Sequence, residues 1–276
     1  MTAKGATSEL VLLGSGTAVP VPDRTPSGHL VRRADRSSQV LLDSGPGTAQ
    51  RLAHHGVKLD RLDAILYTHL HPDHTLDYLA IAFAFKNPSF GASRTPEIPV
   101  VGPPGFAAFV KRVKDLYGPW MEPERPRLLV REIGPGKKFG AGAFEALAMK
   151  TAHTPESQGY RLVDGEGAVL AYSGDSDECD DLVDLARGAD LFLCECSFPD
   201  AAYAPGHLTP SRAGRLAERA KARRLVLTHF YPECADTDLV RREARAAFSG
   251  EITVGSDGLV VPYGPSKKGA TGEGRS

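Results

Sequence analysis

Cysteine is scarce in this chain: Cys179, Cys194, Cys196 and Cys234 are the four thiols among 276 residues, too few and too irregularly spaced for a disulfide framework. The C-x-C spacing is not that of a zinc clip, so these residues read as buried thiols. No apolar run approaches the roughly 20 residues that span a bilayer, and the opening MTAKGATSEL has one lysine but no apolar signal region. Both absences lead to the expectation of a cytoplasmic protein with no membrane partner. Charge of one sign is missing too. A net charge of −1 and a pI near 6.8 exclude a global attraction to polyanions.

What is present is ordinary globular material, 41% hydrophobic and 24% charged, enough for a sizeable core. No linker-like stretch divides the apolar segments, so one domain over residues 9–263 is expected. Residues 1–8 and the tail GPSKKGATGEGRS, residues 264–276, lack apolar periodicity and are expected to be mobile. Strand candidates are Leu10–Leu13, Val40–Leu42, Ala64–Tyr67, Leu128–Val130, Val169–Tyr172, Leu191–Leu193 and Leu225–Leu227. Helical patterns fall at Thr48–His55, Leu76–Phe85, Phe106–Leu116, Ser211–Ala220 and Asp238–Phe248, with Thr209 and Asp236 as capping candidates. This mixture predicts a layered α+β architecture, and no internal repeat is visible.

The segment AILYTHLHPDHTLD carries the strongest chemical signal. An apolar strand runs into His69, His71, Asp73 and His74, placing three of the nine histidines within six residues. Imidazole and carboxylate are the donors that borderline cations favour, and a short loop anchored by a strand lets them converge. Pro72 stiffens the turn. A histidine-rich surface loop would have no reason for such density. His153 after FEALAMKTA, Asp175 after VLAYSG and His229 after RLVLT each stand just past an apolar run. Singly each reads as a satisfied polar residue; together they supply donors for two metals.

The pattern H-x-H-x-D-H, followed by a lone histidine, the aspartate of SGDS and the histidine of THF, resembles the metallo-β-lactamase superfamily over nearly the whole chain. LGSGTAVPVPDRTPSGHLV, VLLDSGPGT, ESQGYRL and GHLTPSRAG are similar to the ribonuclease Z and phosphodiesterase branch. The resemblance implies an αββα sandwich with His69, His71 and His153 on one metal, Asp73, His74 and His229 on a second, and Asp175 bridging both. Zinc is the expected metal, with manganese or iron as alternatives from the same donor set. Asp43 either caps the DSGPG turn or lies behind the metals and orients a ligand histidine. Glu195 and His207 resemble the glutamate and histidine that this branch places beside its metals, where they offset charge on a phosphoryl or leaving oxygen. His29, His54 and His55 have no such context and are expected to be structural or exposed.

The implied chemistry is hydrolysis by a water acidified by two cations, with Asp73 orienting it and taking up its proton. True β-lactamases of this fold normally carry cysteine at the position of Asp175, which disfavours that activity. In ribonuclease Z the arm that grips tRNA is inserted between the lone histidine and the bridging aspartate. Here that interval is 22 residues, which ESQGYRLVDGEGAVLAYSG fills with two strands and a DGEG turn. The expected function is therefore a phosphodiesterase acting on small or nucleotide diesters, with tRNA 3′-end cleavage as the alternative. Lactonase, arylsulfatase, redox di-iron and metal-free binding roles exist on the same scaffold and rank lower. The basic residues of SRAGRLAERAKARR and RREARAAF are read as solvated helix faces rather than an RNA patch. Phe106, Tyr117 and Trp120 suit a substrate mouth or a subunit contact, and the resemblance implies a homodimer.

Overall fold

The computed structural model describes residues 7–87 and 97–265, so most of the two segments expected to be mobile lies outside the described residues. Thr7, Ser8, Gly264 and Pro265 are the exceptions: Ser8 opens strand β1 (Ser8–Gly14), and the hydroxyls of Thr7 and Ser8 donate to Asp164 Oδ2, at 2.6 and 2.8 Å. The boundary expected at residue 9 falls inside that strand, because Asp164 holds the chain by polar side chains that carry no apolar period.

Four strands begin one sheet: β1, β2 (Gly28–Arg33), β3 (Gln39–Leu42) and β4 (Ala64–Leu66). β5 (Glu97–Gly102) and β6 (Arg127–Glu132) extend it, and the last strand, β14 (Val260–Tyr263), closes its far edge beside β1. The second sheet holds β7 (Lys138–Ala141), β8 (Phe144–Lys150), β9 (Gln158–Asp164), β10 (Val169–Tyr172), β11 (Leu191–Glu195), β12 (Arg224–Thr228) and β13 (Glu251–Val254) in sequence order. Each sheet is antiparallel in one half and parallel in the other, β3 to β6 and β10 to β13 being the parallel runs.

Parallel neighbours need crossovers, and helices provide them. α1 (Thr48–His54), α2 (Pro72–Thr75) with α3 (Asp77–Ala84), and α4 (Phe106–Tyr117) serve the first sheet. α5 (Asp180–Ala186), α6 (Pro210–Ala220) and α7 (Thr237–Arg245) serve the second. Period-2 alternation then sorts the strand residues into layers. Leu10, Leu12, Leu191 and Leu193 face the space between the sheets; Val11 and Leu13 face Leu52, Ile81 and Val110 of one helical layer; Phe192 and Cys194 face Leu182, Leu216 and Val240 of the other. This is the expected αββα sandwich.

The expected strands and helices are present with adjusted ends, and two of the differences matter. The loop that Pro72 was expected to stiffen is a helical turn with proline at its first position, where the missing N–H costs nothing. The pattern over Leu76–Phe85 is consequently the continuation of that turn. Phe106, one of the three aromatics offered as a mouth or contact, is buried beside Tyr67 and Tyr78, whereas Tyr117 and Trp120 are exposed. Asp236 caps α7 by accepting from Asp238 N and Leu239 N, while Thr209 holds the capping position of α6 without a side-chain bond.

Candidate metal centre

The strand ends bring the chemistry together. His69 follows β4, His153 follows β8, Asp175 follows β10 and His229 follows β12, while Asp73 and His74 lie on α2. β4, β10 and β12 present here the carboxyl ends of parallel strands, where the chain leaves the sheet and frees side chains to converge, and the antiparallel β8 delivers His153 to the same edge. Donor atoms of His69, His71, His153 and Asp175 form one group, and those of Asp73, His74 and His229 form another, all within 4.8 Å of one another in each.

In the first group His69 Nε2 and His153 Nε2 each lie 3.1 Å from His71 Nδ1. A neutral imidazole has one N–H and one lone-pair nitrogen, and the partners decide which is which. The Thr68 hydroxyl donates to Asp43 Oδ2 at 2.9 Å, so it accepts from His69 Nδ1, 3.0 Å away. His153 Nδ1 donates to the Gly206 carbonyl at 2.9 Å. Both Nε2 atoms are thereby left as lone pairs aimed at His71 Nδ1, whose single N–H could satisfy at most one of them, whereas a cation would engage both.

The second group follows the same rule. His74 Nδ1 donates to Asp43 Oδ2 at 2.9 Å. His229 Nδ1 donates to Ser197 Oγ at 3.0 Å, since that hydroxyl donates onward to Glu195 Oε2 at 2.6 Å. The two Nε2 atoms stand 3.3 Å apart, and Asp73 Oδ2 is 3.5 Å from that of His229. Asp175 lies between the groups, Oδ1 3.3 Å from His74 Nε2 and Oδ2 3.4 Å from His229 Nε2 and 3.7 Å from His69 Nε2. Its buried Oδ1 has no hydrogen-bond partner. An unpartnered buried carboxylate oxygen facing lone-pair nitrogens fits a divalent cation, which supplies the missing positive charge.

Asp43 is placed behind these groups rather than as a cap on the DSGPG turn. Its carboxylate accepts from Thr68 N, the Thr68 hydroxyl, His74 Nδ1 and the Tyr172 hydroxyl. Glu195 is buried and also accepts repeatedly, from Ser176 N, Ser197 Oγ and Leu208 N, with His207 Nδ1 3.3 Å from its Oε1. The His207 ring stacks near His229 and tilts toward His153 at 4.8 Å, so every expected site residue is gathered in one place.

The Beta-lactamase superfamily domain model matches residues 38–230, a span that encloses every one of these residues. The chain belongs to the beta-lactamase superfamily. An uncharacterized protein of Mycobacterium leprae is 35% identical over 254 residues, covering 89% of this chain and 85% of its own. Ribonuclease Z of Mycobacterium bovis is 30% identical over 272 residues, covering 90% and 96%. Among solved structures, the metallo-beta-lactamase fold protein YhfI of Bacillus subtilis superposes with a TM-score of 0.79 at 26% identity, over 92% of this chain and 98% of that one.

In this superfamily member the titrating groups report how strongly the centre demands positive charge. In the metal-free centre burial opposes the charge of His74, but the carboxylates of Asp175 and Asp43 outweigh it and hold His74 well above the ordinary histidine range, so a proton on Nε2 occupies the lone pair that a cation would use. Burial likewise opposes the charge of Asp175, yet His229, His74 and His69 hold it well below the carboxylate range. Burial, with the nearby charge of His74, pushes His69 down. His207 is pushed up to about 9: burial opposes it, and the Glu195 hydrogen bond, with the charges of Glu195, Asp175 and Asp73, prevails.

Several residues of the centre carry no sequence signal. Thr68, Tyr172 and Ser197 relay hydrogen bonds as common residue types within or beside apolar strands. His29 is fully buried with its ring edge-on to Tyr172, and burial, then His74 and His229, push it down to about 3, which keeps it neutral. His54 is exposed and His55 partly so. Asp43 and His229 have left-handed backbones, φ 54 and φ 62, a conformation unfavourable for residues other than glycine and held here by the bonds around them.

Proposed function

We propose that this metallo-hydrolase cleaves phosphodiesters of small or nucleotide substrates at a dinuclear centre, with zinc as the metal. His69, His71 and His153 would hold one cation, Asp73, His74 and His229 the other, and Asp175 would bridge them. Two such cations supply the acidification of a water molecule near neutral pH and the neutralisation of phosphoryl charge. Asp73, on the first turn of α2, orients the attacking water and accepts its proton. His207, with Nδ1 directed at Glu195, presents its Nε2 side to negative charge on the phosphoryl or leaving oxygen.

One observation carries the substrate class. The interval from His153 to Asp175 is a plain antiparallel hairpin, β9 to β10, with Val163 opposite Val169 and Asp164 closing the turn by accepting from Glu166 N and Ala168 N. That leaves no arm for gripping tRNA. The α6 arginines add support, since Arg212, Arg215 and Arg219 pair with Asp177, Glu178 and Asp180 and offer RNA no unpaired basic stripe. The 30% identity to a ribonuclease Z favours tRNA 3′-end cleavage as the second reading. A matched assay decides: bis-aryl phosphate and a 2′,3′-cyclic nucleotide are expected to be hydrolysed faster than precursor tRNA, with weak salt dependence. Site-specific cleavage after the tRNA acceptor stem, with little turnover of small diesters, would reverse the order of the two readings.

His207→Ala is expected to keep both metals and lose on the order of 100-fold in turnover, the typical effect of removing one preorganised charge-stabilising contact. Glu195→Ala should match it in turnover and also lower Tm, because Glu195 holds Ser176, Ser197 and Leu208 as well. Wild-type turnover of both variants on a phosphodiester would remove the pair from the mechanism.

We further propose a cytoplasmic homodimer. The four free thiols support a reducing compartment. Among the described residues no helix is long and apolar enough to cross a membrane. Phe83, Tyr117 and Trp120, exposed around an apolar groove of about 400 Å³ with Leu79 and Met121, suit a self-complementary contact. Light scattering should give twice the chain mass, and Trp120→Glu should shift it toward the monomer; a monomeric wild type would remove the dimer.

A further inference from the structure

Asp177 stands two residues past Asp175 and belongs to neither donor group, yet its carboxylate gathers four donors. Oδ1 accepts from Arg212 Nη1 at 2.6 Å and Glu178 N at 2.7 Å, and Oδ2 from the Tyr203 hydroxyl at 2.5 Å and Gly206 N at 3.4 Å. The Arg212 guanidinium in turn lies over the Tyr203 ring, 3.8 Å from its centroid, so the acid, the phenol and the cation hold one another. On the main chain, Asp177 N donates to Ala152 O at 2.8 Å and Ala152 N to Ser176 Oγ at 2.9 Å.

Asp177 therefore joins three loops: its main-chain N–H holds the loop bearing His153, and its carboxylate ties the loop bearing Asp175 to the segment from Tyr203 to His207. The third matters most, because its Gly206 carbonyl fixes the N–H of His153 at Nδ1 and leaves Nε2 as the free lone pair. The fit is close. Gly206 has φ 86, and a Cβ there would come within 3.3 Å of His153 Nδ1, so the segment needs both glycine and a firm hold to seat that carbonyl.

We propose that Asp177, with Tyr203 and Arg212, is a positioning device for the centre. It seats the Gly206 carbonyl, and through it fixes the tautomer and aim of His153 and the placement of His207. The device rests on the reading of His153 as a metal ligand. Partners behind metal-binding histidines typically control affinity 10- to 100-fold. Tyr203 is itself partly exposed, so removing its hydroxyl leaves the packed interior intact.

The test compares wild type, Asp177→Asn, Tyr203→Phe and Arg212→Lys in zinc titrations against a chromophoric chelator, with metal-free Tm and with kcat and KM on a bis-aryl phosphate. Asp177→Asn is expected to weaken one of the two zinc sites by about 10- to 100-fold, leave the other within threefold, and lower kcat more than KM changes. Tyr203→Phe should show the same pattern more weakly, and Arg212→Lys should retain most of the wild-type affinity. A merely structural role would lower the metal-free Tm and leave the ratio of the two zinc affinities unchanged. Two zinc ions on wild type with unaltered affinities in both Asp177→Asn and Tyr203→Phe would overturn the device alone. A wild type that takes up no zinc would overturn the centre and the device together.

Discussion

Asp175→Ala is expected to empty the centre and abolish hydrolysis in one step. The carboxylate lies within 4 Å of ring nitrogens from both donor groups, and its removal leaves His69, His74 and His153 without the anion that joins them to His229. Cations at such centres contribute several kcal/mol of transition-state stabilisation, so kcat/KM on a phosphodiester should fall by roughly 10⁴-fold or more. Metal content measured on the same preparation should fall in parallel, and Tm with it, because metal binding is coupled to the folded site. An active Asp175→Ala protein free of metal would remove the proposed bridge.

Asp43→Ala is the second large effect, and it should appear first as stability. Substitution leaves the Thr68 amide, the Thr68 hydroxyl, His74 Nδ1 and the Tyr172 hydroxyl without their acceptor in a fully buried place. Each orphaned donor costs about 1–3 kcal/mol, and breaking a buried ionic network about 3–5 kcal/mol in total. The left-handed backbone at Asp43 adds strain for alanine. A fall in Tm of roughly 10 °C follows for a domain of this size. Asp43→Asn keeps the shape and should lose less Tm while still weakening metal binding about 10- to 100-fold through His74. A Tm within two degrees of wild type for Asp43→Ala would contradict this account of the network.

Much of the architecture is legible in the sequence because strands covered on both faces, such as Leu10–Leu13 and Leu191–Leu193, read as unbroken apolar runs. The edges are harder to read. β7 (KFGA), β13 (EITV) and β14 (VVPY) are short and half solvated, so their patterns do not stand out from loops. β2, GHLVRR, ends in two arginines that pair with Glu9 and Asp164, an arrangement visible only once β1 and β9 are in place. Most of the gathered histidines and aspartates are legible because an apolar run leads into them, whereas His207, after AAYAPG, is legible only through the family resemblance. Their supports are not, since Ser197, Tyr172 and Asp177 act through distances of ten to more than a hundred residues along the chain.

The same distinction governs function. Donor types and strand-end placement are local features and point to metal chemistry, whereas substrate choice depends on what surrounds the centre, here a bare hairpin and arginines already paired with acids. The claim on which everything else depends is the dinuclear centre itself. Elemental analysis of zinc-reconstituted protein, freed of excess metal by gel filtration, tests it most directly. Two equivalents per chain are expected, because the two donor groups together hold seven side chains where one tetrahedral ion needs four ligands. Protein that retains no metal after reconstitution would contradict the claim.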